Sequence, residues 1–224
     1  MPVIELQTNF GGGKTHSMIA LYHLASGLDA TEMPGIGDVL AEAKLGLPKK
    51  VNRAVIVGHD VSVATPHPVE KGIDLHTLWG HIAYQLGGKD AYEIVRSDDE
   101  NGTNPAAAFR TLFEQYGPAV ILIDEWVAYA RQLRDGGEGD LLAGGDFDTQ
   151  FTFAQTLTQA AAGVSNVVVL VSIPSSDIEV GGERGKTALV RLKNVVRRLA
   201  TEWQPASPDE SFEIVRRRLF DPIS

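Results

Sequence analysis

Residues 3–15 read VIELQTNFGGGKT, and the reading of that stretch decides the fold. Val3–Leu6 is short and apolar, the pattern of a buried strand, and it runs straight into three glycines, a lysine and a threonine. A phosphate-binding loop is made this way. The strand ends, glycines let backbone amides turn inward, and the next helix presents its positive N-terminus to an anion. Lysine then reaches the terminal phosphates and the following hydroxyl holds Mg²⁺. Lys14 and Thr15 occupy those two positions, and the amides of Asn9, Phe10, Gly11, Gly12, Gly13 and Lys14 would line the cradle. His16 would add its backbone amide, with its imidazole incidental.

One position departs from the pattern. The usual first glycine falls at Thr8, and a β-branched residue resists positive φ, so the chain must leave the strand there in extended geometry. A second Gly-Lys-Thr stands at Gly185–Thr187, with Val180 at its first-glycine position, and it sits well past its nearest strand. A surface loop leading into a helix accounts for it better than a second phosphate site.

Outward from the loop, strand and helix signals alternate. Helices are expected at Thr15–Ser26, near Asp38–Leu45, at Leu75–Leu86 up to Gly87-Gly88, from Asn104-Pro105 to about Tyr116, and at Thr149–Ala162, Thr187–Leu199 and Pro208–Phe220. Ser207 with Glu210 forms a capping box for the last of these. Further strands are expected at Ala54–Gly58, Ala119–Ile123 and Val167–Val171. Apolar strands alternating with helices predict an α/β fold, a parallel sheet covered on both faces. Trp79 and Tyr84, at helical spacing, read as core.

The stretch AVILIDEW, residues 119–126, supplies the other half of the site. An acid at the C-terminal end of a buried parallel strand points into the crevice where open α/β sheets bind ligands. Asp124 is placed to hold Mg²⁺ through water beside Thr15, and Glu125 to orient an attacking water as general base. A kinase of small molecules needs no such water, so the pair favours hydrolysis.

Composition narrows the field. With 224 residues and 43% hydrophobic content, one sizeable core is expected. There is no cysteine, which excludes disulfides, thiolate zinc and a thiol nucleophile, and the six histidines lack ligand spacing. No signal peptide or apolar run near ~20 residues is visible, so a cytoplasmic protein without membrane contact is expected. A net charge of −9 argues against coating nucleic acid through the overall field. Acidic runs at Ser97–Glu100 and Asp135–Asp148 and basic runs at 191–198 and 216–218 read as solvated faces.

The stretches TNFGGGKT and LIDE, the serine ending VVVLVS and the helix ending NVVRRLA together resemble the AAA+ ATPases, P-loop enzymes of the additional-strand glutamate class. More narrowly, ELQTNFGGGKTHSM, TLWGHIAYQLGG, LIDEWVAYAR and EIVRRRLF are similar to a group of large bacterial and archaeal members associated with DNA methyltransferases and phage-defence gene clusters. The resemblance implies a three-layer P-loop core over residues 1–205, a central parallel sheet of about five strands, and the start of a C-terminal lid helix at 206–224 with most of the lid absent. It implies ATP as the nucleotide, Ser172 as the sensor of the γ-phosphate with Ser175 as fallback, and Arg197 or Arg198 acting on a neighbouring subunit. It also implies a homo-oligomer that hydrolyses ATP to move or remodel a partner, DNA or a DNA-modifying complex. A nucleotide-gated scaffold with little turnover and a P-loop phosphotransferase are the alternative readings.

Overall fold

A computed structural model describes residues 2–7, 13–49, 51–137, 142–176 and 180–203. The strands are β1 (Val3–Leu6), β2 (Asn52–Val57), β3 (His67–Glu70), β4 (Ile73–Leu75), β5 (Ala119–Asp124), β6 (Val167–Ser172) and β7 (Ala200–Trp203). The helices are α1 (Lys14–Leu24), α2 (Ile36–Ala43), α3 (Leu78–Glu93), α4 (Arg96–Asn101), α5 (Ala106–Tyr116), α6 (Trp126–Ala130), α7 (Phe147–Ala162) and α8 (Gly182–Val196). Thr8, Asn9, Phe10, Gly11 and Gly12 of the loop lie outside the described residues, as do Ser207, Glu210, Arg216–Arg218 and the expected lid helix.

Five strands form one sheet in the order β2-β5-β6-β1-β7, with every neighbouring pair parallel. Its inner strands are buried on both faces, which is why VIEL, AVILID and VVVLVS read as apolar runs rather than as alternating ones. The two faces differ in depth. Val3, Ala54, Ile56, Ile121, Ile123, Val169 and Val171 join one large core beneath the layer that contains α3, α5, α7 and α8. Leu6, Leu122 and Leu170 point the other way and meet Met18 of α1. Helix layers on either side of the sheet make three layers. The outer edge at β2 is closed by a side chain: Gln85 accepts from the Val55 amide at 2.8 Å and donates to the Val55 carbonyl at 2.9 Å, which blocks strand addition there.

Several boundaries differ from expectation. The helix expected at Leu75–Leu86 begins at Leu78, because Ile73–Leu75 pairs antiparallel with His67–Glu70 as a hairpin and Thr77 caps the helix through Gly80 N–H. That helix also continues past Gly87-Gly88, with non-helical torsions at both glycines and the Tyr116 ring against Gly87. The helix expected at Thr187–Leu199 is α8, so Gly185–Thr187 lies inside a helix rather than in a loop before one. Trp79 is fully buried and Tyr84 packs partly buried against the same core.

The acidic run at Ser97–Glu100 is not simply a solvated face. It lies in α4, and Asp99 is wholly buried. Its carboxylate accepts from the amides of His76 and Thr77, the Thr77 hydroxyl and the Tyr92 hydroxyl, which ties α4 to the start of α3. That many donors are what a buried carboxylate requires.

Candidate phosphate and hydrolysis site

The parallel register brings the C-terminal ends of three strands together. Leu6 of β1 is level with Ser172 of β6, and Ile123 of β5 is level with Val171 of β6. The strand that leads into the glycine run and the acid-bearing strand are therefore not neighbours, since β6 lies between them. Ser172, 3% exposed, ends that intervening strand one residue beyond the pair that aligns with β5.

Gly13 opens α1 as its N-cap with φ +83°, a left-handed torsion that glycine adopts without a Cβ penalty. Lys14, Thr15 and His16 then form the first helical turn, with their amides at the positive end of the macrodipole. The Ser17 hydroxyl and amide both donate to the Gly13 carbonyl at 3.0 Å, which anchors that turn.

The decisive contact spans 109 positions of sequence: the Thr15 hydroxyl donates to Asp124 Oδ2 at 2.9 Å. Asp124 is 9% exposed, and its other oxygen accepts from the Glu125 amide at 3.0 Å. Glu125 itself is exposed and stands in the left-handed region at φ +57°, as N-cap of α6. A non-glycine residue there costs roughly 1–2 kcal/mol, strain of the kind that functional turns hold. The Thr15 hydroxyl and the Asp124 carboxylate offer hard oxygen donors in contact, which fits Mg²⁺, an ion that takes one or two protein oxygens and fills its octahedron with water and phosphate. Among the described residues no group of three or more His, Asp or Glu side chains forms a closed metal site.

Gly58 closes the strand that the sequence pattern predicts at Ala54–Gly58, and it also shapes this site. Its amide donates to the Asp124 carbonyl at 2.8 Å, and a Cβ on it would lie 2.1 Å from the Glu125 carbonyl oxygen. Only glycine lets β2 approach the turn that aims Glu125. A glycine closing an apolar strand marks close backbone approach and was the available signal.

The two arginines of the α8 terminus separate. Arg197 caps α8 and donates from Nε to Glu5 Oε2 at 3.1 Å, while Glu202 also pairs with it at 3.1 Å. The hydrogen bond to Glu5 raises the Arg197 pKa above its ordinary value. Arg198 is exposed. Ser175 lies beyond β6, where its carbonyl accepts from Lys193 at 3.1 Å.

Residues 1–205 match the family described as the DUF499 N-terminal domain. No curated protein and no solved structure matches the chain.

Proposed function

The chain belongs to the DUF499 N-terminal domain family, and we propose that it is a P-loop ATPase core of the AAA+ type. The hydrogen bond from Thr15 to Asp124 carries the reading. A glycine-rich turn with an accidental lysine would have no reason to bring its threonine against an acid that ends a buried strand. The strand order supports it further, because an additional strand between the loop strand and the acid strand is what the additional-strand glutamate class requires.

In this reading, amides of Asn9–Lys14 and the first turn of α1 hold the phosphates, and the Lys14 ammonium balances charge that develops on the γ-phosphoryl oxygens. Thr15 and Asp124 hold Mg²⁺, which neutralises phosphate charge when bound. Glu125, open to solvent, accepts a proton from water as its oxygen bonds to the γ-phosphorus. The bond from that phosphorus to the β–γ bridging oxygen breaks, giving ADP and inorganic phosphate. Ser172 senses the γ-phosphate. An arginine of the α8 terminus, Arg198 because Arg197 is held by Glu5 and Glu202, completes the site of a neighbouring subunit, an effect worth about 10³-fold or more in related switches. Turnover then moves or remodels a partner, DNA or a DNA-modifying complex.

The test separates turnover from binding. Glu125→Gln keeps the side-chain shape and removes the base. It is expected to lower steady-state ATPase activity by about 10²-fold, within the usual range for a general base, while fluorescent ATP with Mg²⁺ still binds within about threefold of the native affinity. Tight binding with no turnover in the native assembly would favour the nucleotide-gated scaffold instead.

A further inference from the structure

Glu5 is an unexpected residue for its place. It sits inside the sheet, on the strand that runs into the phosphate loop and lies next to the edge strand β7, and it is 0% exposed. The neighbouring strand places Glu202 level with it, so two carboxylates stand side by side. One guanidinium answers both. Arg197 donates from Nε to Glu5 Oε2 at 3.1 Å and from Nη2 to Glu5 Oε1 at 3.4 Å, and the same Nη2 pairs with Glu202 Oε1 at 3.1 Å. A fork of this kind fixes direction as well as charge, which a lysine cannot do.

An apolar pair in place of Glu5 and Arg197 would serve folding about as well, since buried ion pairs seldom outdo hydrophobic replacements in stability. The pair therefore asks for a role beyond stability. Its location supplies one. Arg197 ends α8, and its own amide closes the last turn on the Lys193 carbonyl at 3.0 Å. Arg198 comes next, exposed, at a surface cleft of about 460 Å³ that Gln155, Thr158 and Leu199 also line.

We propose that Arg197 is a positioning residue in cis: with Glu5 and Glu202 it fastens the end of α8 to the phosphate-loop strand, and so fixes where Arg198 stands toward the adjoining subunit. This rests on the ATPase reading and on an arginine acting between subunits. Arg197 cannot leave for a neighbour's nucleotide without stranding the buried Glu5 carboxylate, so its work is done at home. The same strut joins the loop strand to the interface arginine, and a shift of β1 on nucleotide binding would be felt at Arg198.

The experiment uses mixed assemblies of the full-length protein. Lys14→Ala subunits are expected to lack turnover of their own but still donate Arg198, whereas Arg198→Ala subunits keep a site but lack a donor. Mixing the two should restore activity. Adding Glu5→Gln to the Lys14→Ala donor then tests the strut where it can act only through donation. Restored activity is expected to fall by about 10²-fold, the cost of displacing a catalytic group by roughly 1 Å, with the mixed assembly the same size and the donor's thermal transition still cooperative. Arg197→Lys in the donor, which keeps the charge and loses the fork, should give a smaller loss. Full restoration by the Glu5→Gln donor would overturn the strut and leave the ATPase reading standing. No turnover by the native assembly would overturn the ATPase reading, and this inference with it.

Discussion

The tripeptide Gly-Lys-Thr occurs twice, and its two copies have different fates. At Gly13–Thr15 the glycine takes a left-handed torsion at the head of α1, and the threonine reaches out to Asp124 on another strand. At Gly185–Thr187 the tripeptide lies within α8. There the Thr187 hydroxyl donates to Glu183 of its own helix at 3.0 Å, and Lys186 pairs with Glu183 at 2.8 Å. Gly185 is needed for room rather than for torsion, since a Cβ would lie 2.3 Å from the Val180 carbonyl oxygen. The lesson is that three residues carry no chemistry by themselves. A strand that ends just before them and an acid on a second strand turn one copy toward Asp124, whereas the other copy makes its contacts within its own helix.

The comparison can be broken most directly at the lysines. Lys14→Ala is expected to weaken fluorescent ATP binding with Mg²⁺ by about 10²-fold, the loss of a charge-assisted contact to phosphate, while Lys186→Ala stays within about twofold. Equal losses would erase the distinction between the copies. At the glycines, alanine ordinarily stabilises a helix interior by about 1 kcal/mol. Gly185→Ala should instead destabilise by about 1–3 kcal/mol through overpacking against Val180. Gly13→Ala should cost about 1 kcal/mol through its φ of +83°. Chemical denaturation of both variants checks the pair, and a gain in stability from Gly185→Ala would refute the steric account.

The fold can also be tested independently of either copy. Burial first, and then the neighbouring His67, lower the pKa of His81 from 6.5 to about 4. Because the unfolded chain binds the extra proton first, stability is complete above about pH 6.5 and falls as pH drops toward 4, by on the order of 3 kcal/mol. Urea midpoints measured across that window should slope for the native chain and flatten for His81→Gln. The smallest effect on stability belongs to Thr187. Thr187→Ala should change stability by no more than about 0.5 kcal/mol and leave nucleotide binding alone. Thr15→Ala should remove the Mg²⁺ dependence of binding, as a titration of Mg²⁺ against fixed nucleotide would report.

The legible parts of the molecule share a physical cause. Strands β1, β5 and β6 were legible because a strand covered on both faces needs consecutive apolar residues, and Asp124 stood out as the polar residue that ended such a run. The hairpin HPVEKGIDL was not legible, because its first strand is largely exposed and its apolar signal is too short to register. Asp99 was hidden for the opposite reason. An acid in an acidic run resembles a solvated face, and all its donors but Tyr92 lie 22 and 23 residues earlier in the chain. Gly58 stood in view, but its need for close approach depends on where the Glu125 carbonyl falls.

By itself the sequence determined the α/β class, the three central strands, the glycine turn into α1 and the acids that close the third strand run, because each is written in local pattern and spacing. Tertiary structure alone decided that β6 lies between β1 and β5, that Thr15 meets Asp124, that Glu5 captures Arg197 and leaves Arg198 outward, and that Asp99 belongs to the core. These are meetings between residues 22 to 192 positions apart. The order of strands in a sheet and the pairing of buried charge depend on which surfaces pack together, and no local window of sequence contains that information.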